Sequence, residues 1–132
     1  MQEKSTKVCS IDFDTLTDTL VTIRGVAVDD QGKSELVAQG AVPILVSLHG
    51  YENSSVRIPA SGTFPLLAAV ELSSLTAFLN CGFDGVHTLV NALRDSTHSV
   101  RRNVRTAISY LSANSETKQR FVFELIRQGQ FD

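Results

Sequence analysis

GAVPILVSL, residues 40 to 48, returns as DGVHTLVNAL, residues 84 to 93, and the fold follows from that recurrence. With a shift of 44 residues, Val42, Leu45, Val46, Ser55, Val56 and Arg57 fall on Val86, Leu89, Val90, Ser99, Val100 and Arg101. Six identities in a sixteen-residue window are hard to obtain from composition alone. A recurrence at this length is the mark of stacked helical units, each of which buries its apolar face only against its neighbours.

A second self-match links other parts of the chain. IRGVAVDDQGKSELV, from Ile23, aligns with ISYLSANSETKQRFV, from Ile108, at a shift of 85. Two periods then span 85 residues, a mean of about 42 to 43. The two matches are independent and agree.

Each unit has a readable anatomy. A Gly or Asp-Gly opens a short helix with apolar residues at helical spacing, such as Val86, Leu89, Val90 and Leu93. A polar turn, Arg94 to Thr97, offers Ser and Asp as caps for the next helix. Val100, Val104, Ala107, Ile108 and Leu111 continue the spacing, with Arg101, Arg102 and Arg105 on the solvent side. Asn114 and Ser115 break that helix and cap a short closing segment around Phe121, Val122 and Leu125. Read this way, residues 14–39 supply part of a first unit, 40–82 a second and 83–126 a complete third, all within one domain spanning 1–132. The middle unit is irregular. Pro59, Gly62 and Pro65 are expected to interrupt its helix, because proline removes a donor and clashes with the preceding turn. Thr63 would cap a fresh helix running to Asn80 and stopping at Cys81-Gly82.

Composition narrows the classes. The 132 residues are 42% hydrophobic and 20% charged, which reads as globular. A formal charge of −2 argues against a nucleic-acid binder working by bulk attraction to phosphate. Cys9 and Cys81 stand far apart, outside any CxxC, as expected in a reducing compartment. The longest greasy stretch, FPLLAAVELSSLTAFL, is interrupted by Glu71 and is shorter than the roughly 20 residues needed to span a bilayer. A cytoplasmic address is expected, with cytoskeletal, ciliary or nuclear variants of it.

Catalytic and metal motifs are missing from the sequence. His49, His87 and His98 form no HxxxH pair and lie beside no Cys, Asp or Glu at ligand spacing. The run DDQGKSE, from Asp29, lacks the alternating oxygen ligands of a calcium loop and reads as a polar turn. There is no GxSxG elbow and no phosphate-cradling glycine run. A non-enzyme with neither metal nor cofactor is expected.

These segments together resemble the armadillo-repeat family, a HEAT-like α-solenoid. The likeness covers most of positions 20 to 125 and is carried by GAVPILVSL, DGVHTLVNALRDSTHSVRRNVRTAISYL and SANSETKQRFV. It implies an all-α, right-handed superhelical stack of about two and a half repeats, with third helices lining a groove for proteins or peptides. Importin-alpha-like members clamp peptides with Trp and Asn on those helices. The matching positions here are Val21 and Thr106 for Trp, and Gly25 and Tyr110 for Asn, so that ladder is absent.

Arg102, Thr106 and Tyr110 then form one stripe on the groove, with Arg101 and Arg105 beside them. The basic group reads either as a solvated face or as a dock for an acidic partner, since guanidinium forks suit carboxylates. The expected function is a protein-interaction scaffold, a structural subunit of a larger assembly such as a ciliary or cytoskeletal one. The alternative is a transport or ubiquitin-pathway adaptor that picks up mobile peptides. The chain also opens inside a unit and stops where another would begin, so its end helices are expected to stack on a partner or on further repeats.

Overall fold

The computed structural model describes residues 13–68 and 85–129. The described residues are all-helical. Seven α-helices run α1 Phe13–Val26, α2 Asp30–Ala38, α3 Ala41–Ser47, α4 Ser54–Ala68, α5 Gly85–Ala92, α6 His98–Leu111 and α7 Ser115–Arg127. A 3-10 turn, Leu48–Gly50, links α3 to α4. No described helix is long and apolar enough to cross a membrane.

The recurrent residues form the core. Val42 and Val86, Leu45 and Leu89, Val46 and Val90, and Val56 and Val100 are all buried. Burying such a side chain is worth about 1.5 to 3 kcal/mol, so these equivalent positions contribute comparably in both halves of the molecule. α4 is the hub: its largest contact is with α6, its next with α1, and it also packs on α3. α5 packs against α3, α6 and α7.

α4 corrects the expectation of a break. It runs unbroken through Pro59 and Pro65, and Thr63 lies inside it instead of capping a new helix. An interior proline costs about 3 kcal/mol, so something must offset two of them. Val56, Ala60, Phe64 and Leu67 are each at most 2% exposed, packed between neighbouring helices. Two hydroxyls add bonds within the helix, Thr63 Oγ1 to the Pro59 carbonyl and Ser61 Oγ to that of Ile58, both at 3.0 Å, although neither replaces a donor that the prolines remove. Propensity loses to packing. The expected continuation to Asn80 lies outside the described residues.

A second correction concerns DDQGKSE. It is the start of α2, not a polar turn. Asp29 caps the helix, its carboxylate accepting the Gly32 N–H at 2.6 Å. Gly32 is required by space: a Cβ there would stand 1.9 Å from the Val26 carbonyl oxygen. Gly40, at φ 87°, then turns the chain left-handed between α2 and α3, a conformation that side chains resist. The closing segment after Asn114 is also longer than expected. It forms α7, thirteen residues, with Asn114 Oδ1 accepting the Thr117 N–H as its cap.

Candidate partner-binding face

The turn before α6 is fixed from below by α4. Arg57 reaches Asp95 through two hydrogen bonds, Nε to Oδ2 at 2.7 Å and Nη2 to Oδ1 at 3.2 Å. Its Nη1 also donates to the carbonyls of Tyr51 and Glu52. Asp95 Oδ1 in turn accepts the Thr97 N–H, holding the residue before the helix extended. Burial pushes the Asp95 carboxyl up, but the Arg57 and Thr97 bonds outweigh it and hold it below the usual carboxylate range. The Thr97 side chain makes no capping bond to α6, and Asp95, one of the caps expected there, instead holds the N–H of Thr97 just ahead of the helix.

With Val100, Val104, Ala107 and Leu111 buried, the opposite stripe of α6 faces water. Arg102, Thr106 and Tyr110 lie on that stripe and are exposed, Tyr110 by 52%. Thr106 Oγ1 donates to the Arg102 carbonyl, so the threonine is satisfied within the helix. Arg105 is exposed beside them and lines a hollow with Thr106, Ser109 and Tyr110.

Arg101 differs from the other four. It is half-buried and donates through Nη1 to the Asp95 carbonyl at 2.7 Å, which ties it back to the turn. Its equivalent 44 residues earlier, Arg57, is tied to the same turn from the other side. Recurrence of this arginine therefore reports a structural bond.

Thr106 and Tyr110 wall a cleft of about 310 Å3 formed with α1, α2 and α4. Its floor is Gly62, and Arg24 Nη1 and the Asn103 amide stand 3.4 and 3.5 Å from where a Cβ would sit there. Lys33 reaches the same cleft, with Asp30 at 3.8 Å as its salt-bridge partner. Two cations, an amide donor and a tyrosine thus converge over the buried Gly62. Chemically, guanidinium, ammonium and amide donors are groups that suit carboxylate oxygens. Arg24, Lys33 and Asn103 were not singled out by the sequence, because they come from three helices and share no spacing.

Two of the three histidines, His49 and His87, are held by the fold in different ways. His49 is buried with its Nδ1 against the Leu45 carbonyl at 2.9 Å, and its ring meets Phe64 edge-on at 81°. Burial pushes its imidazole below the ordinary value, so the ring is neutral and Nδ1 donates. His87 does have a carboxylate beside it, which spacing could not reveal: Glu124, 37 residues away, at 2.8 Å. Burial pushes the Glu124 carboxyl up, yet hydrogen bonds from Gln128, Arg127 and His87 bring it down to about 2. Arg94 closes the group by donating to the Gln128 carbonyl. Together these bonds rivet α7 to α5. Among the described residues no group of three or more His, Cys, Asp or Glu is placed to hold a metal.

The chain matches no family model, and no curated protein or solved structure matches it significantly.

Proposed function

We propose that this chain is a non-catalytic protein-interaction scaffold, built as a right-handed stack of about two and a half armadillo-like units and serving as a structural subunit of a larger assembly. The observation that carries the reading is the agreement between recurrence and burial. Four pairs of positions related by 44 residues are all buried, and α1, α4 and α6, the segments at matching places in the period, meet side by side on α4. Stacked units of this kind act through the surfaces they offer, not through a reaction centre.

The cleft over Gly62 supports the same reading. Arg24, Lys33, Arg102 and Arg105 make its surroundings basic, so an acidic segment of a partner protein is the occupant proposed, with Tyr110 as the anchor. A structural subunit suits this surface better than a peptide shuttle, since the groove positions Val21, Gly25, Thr106 and Tyr110 hold no Trp and Asn clamp.

The test places a photo-crosslinker at Tyr110 and, as a control, at Ser55 on the exposed side of α4. Crosslinking mass spectrometry of the native assembly is expected to yield an acidic partner segment from the first position only. With the crosslinker kept at position 110, Arg102→Glu combined with Arg105→Glu should abolish that crosslink while leaving thermal unfolding unchanged, since both arginines are exposed. An unaltered crosslink pattern in that variant removes the groove from the proposal.

A further inference from the structure

We infer that a second copy of this chain docks head to tail on the first, its α1 seating against the open flank of α6 and α7. The inference rests on the repeat reading above, because the docking register comes from carrying an internal contact forward by the repeat shifts. That contact is the one between α4 and α6, where the Asn103 amide donates to Ser61 Oγ at 3.2 Å. Ser61 moved on by 44 residues is Arg105, and Asn103 moved back by 85 is Asp18. Both are exposed. A neutral pair inside the chain thus becomes a carboxylate opposite a guanidinium between chains.

Three further observations point the same way. First, charge is polarised along the molecule. Residues 13–38 carry five acidic groups against two basic ones, whereas residues 98–128 carry six basic against two acidic. α4 packs against both regions, most extensively against α6 and next against α1, and the two approach each other at the cleft over Gly62. Like-with-like docking would set equal charges together, and head-to-tail docking sets opposite charges together.

Second, α1 can be covered without leaving a donor stranded. The residues that match the buried Val100, Val104 and Ala107 of α6 are Thr15, Thr19 and Thr22, all exposed. Thr19 Oγ1 donates to the Thr15 carbonyl at 2.8 Å and Thr22 Oγ1 to that of Asp18 at 2.9 Å. A hydroxyl already bonded to its own helix loses little when water leaves. This face stays wettable in the free chain and remains able to dock.

Third, α7 exposes apolar surface on the side it would offer. Phe123 is 74% exposed and Ile126 61%, one helical turn apart. Val26, the residue matching Leu111, is 46% exposed at the end of α1. A copy docked in the proposed register brings these apolar groups into one junction, completing a unit from α7 of one copy and α1 of the next. Such a contact is heterologous, so it extends into an open chain or closes into a ring and does not stop at a dimer.

The test is sedimentation velocity of the full chain from micromolar to millimolar concentration, at low and high salt. Association that grows with concentration, weakens with salt and exceeds a dimer is expected. Asp18→Arg and Arg105→Asp should each weaken it at least about tenfold, and the two together in one chain should restore it. Thermal melts of the single variants should match the parent, since both sites are exposed. A chain that stays monomeric throughout, or association indifferent to both charge reversals, overturns the docking. Equal stability losses at Leu45→Ala and Leu89→Ala would in that case leave the repeat reading standing, so the two failures are distinguishable.

Discussion

α4 and α6 occupy corresponding places in the period and behave differently. In α4 almost the whole circumference beyond Pro59 is buried, and the helix tolerates two interior prolines. In α6 the apolar residues form one seam and the other faces are charged or polar. The cause is the number of neighbouring helices. α4 has neighbours on both flanks, whereas α6 has one large partner, α4 itself, and smaller contacts with α5 and α7. The same register therefore yields a core strut in one place and a presented surface in the other.

The sharpest way to break this comparison is at Phe64 and its equivalent, Ile108. Phe64 is 2% exposed and Ile108 only partly buried. Phe64→Ala should cost about 3 to 5 kcal/mol, while Ile108→Ala should cost less than half as much. Urea unfolding that gives equal losses would remove the strut-and-surface distinction. Next come Leu45 and Leu89, which are equivalent and equally buried. Leu45→Ala and Leu89→Ala should cost similar amounts, each about 2 to 5 kcal/mol. A loss at one without the other would mean the recurrence is not a structural equivalence.

Smaller effects are expected at the paired arginines. Arg57→Ala strands a half-buried carboxylate and should cost about 2 to 3 kcal/mol, whereas Arg101→Ala gives up one bond to a carbonyl, about 1 kcal/mol. Differential scanning calorimetry of the two variants reads the ratio directly.

Acid should act in two steps whose signs follow from the shifts. The neutral, buried His49 has a lowered folded pKa, so stability declines as pH falls below its ordinary value of 6.5. Asp95 and Glu124 are also lowered when folded. Their contribution is full above their unfolded values of 3.8 and 4.5, and is lost as pH falls toward the folded ones, about 2 for Glu124. Melting temperature against pH should show the upper step vanish in His49→Leu while the lower step persists. The smallest effect belongs to the presented surface, where Arg102→Glu should change stability by less than about 0.5 kcal/mol.

How much of this could be read from the chain depends on how each contact is made. The buried members of α3, α5 and α6 were legible, because burial against a neighbouring element imposes the helical period on nearby residues. The Asn114 cap was legible for the same reason, since a cap acts over three residues. The stripe of Arg102, Thr106 and Tyr110 came from the four-residue spacing together with the helix assignment that the family resemblance supplied, and the three residues are exposed.

What lay beyond the sequence was decided across distance. Nothing local joins Arg57 to Asp95, His87 to Glu124, or Arg24 and Asn103 over Gly62. Their residue types are ordinary surface types until the fold brings them together. α2 was hidden because its start is polar and its glycine answers to a carbonyl from another helix. The continuity of α4 was hidden because local sequence argues against it, and only packing from its neighbours outweighs two prolines. The sequence by itself determined the helical period and the positions that must be buried, because those are nearest-neighbour properties of the chain. Tertiary structure alone decided which polar residues become rivets and which remain surface, because that depends on how many neighbours each helix has.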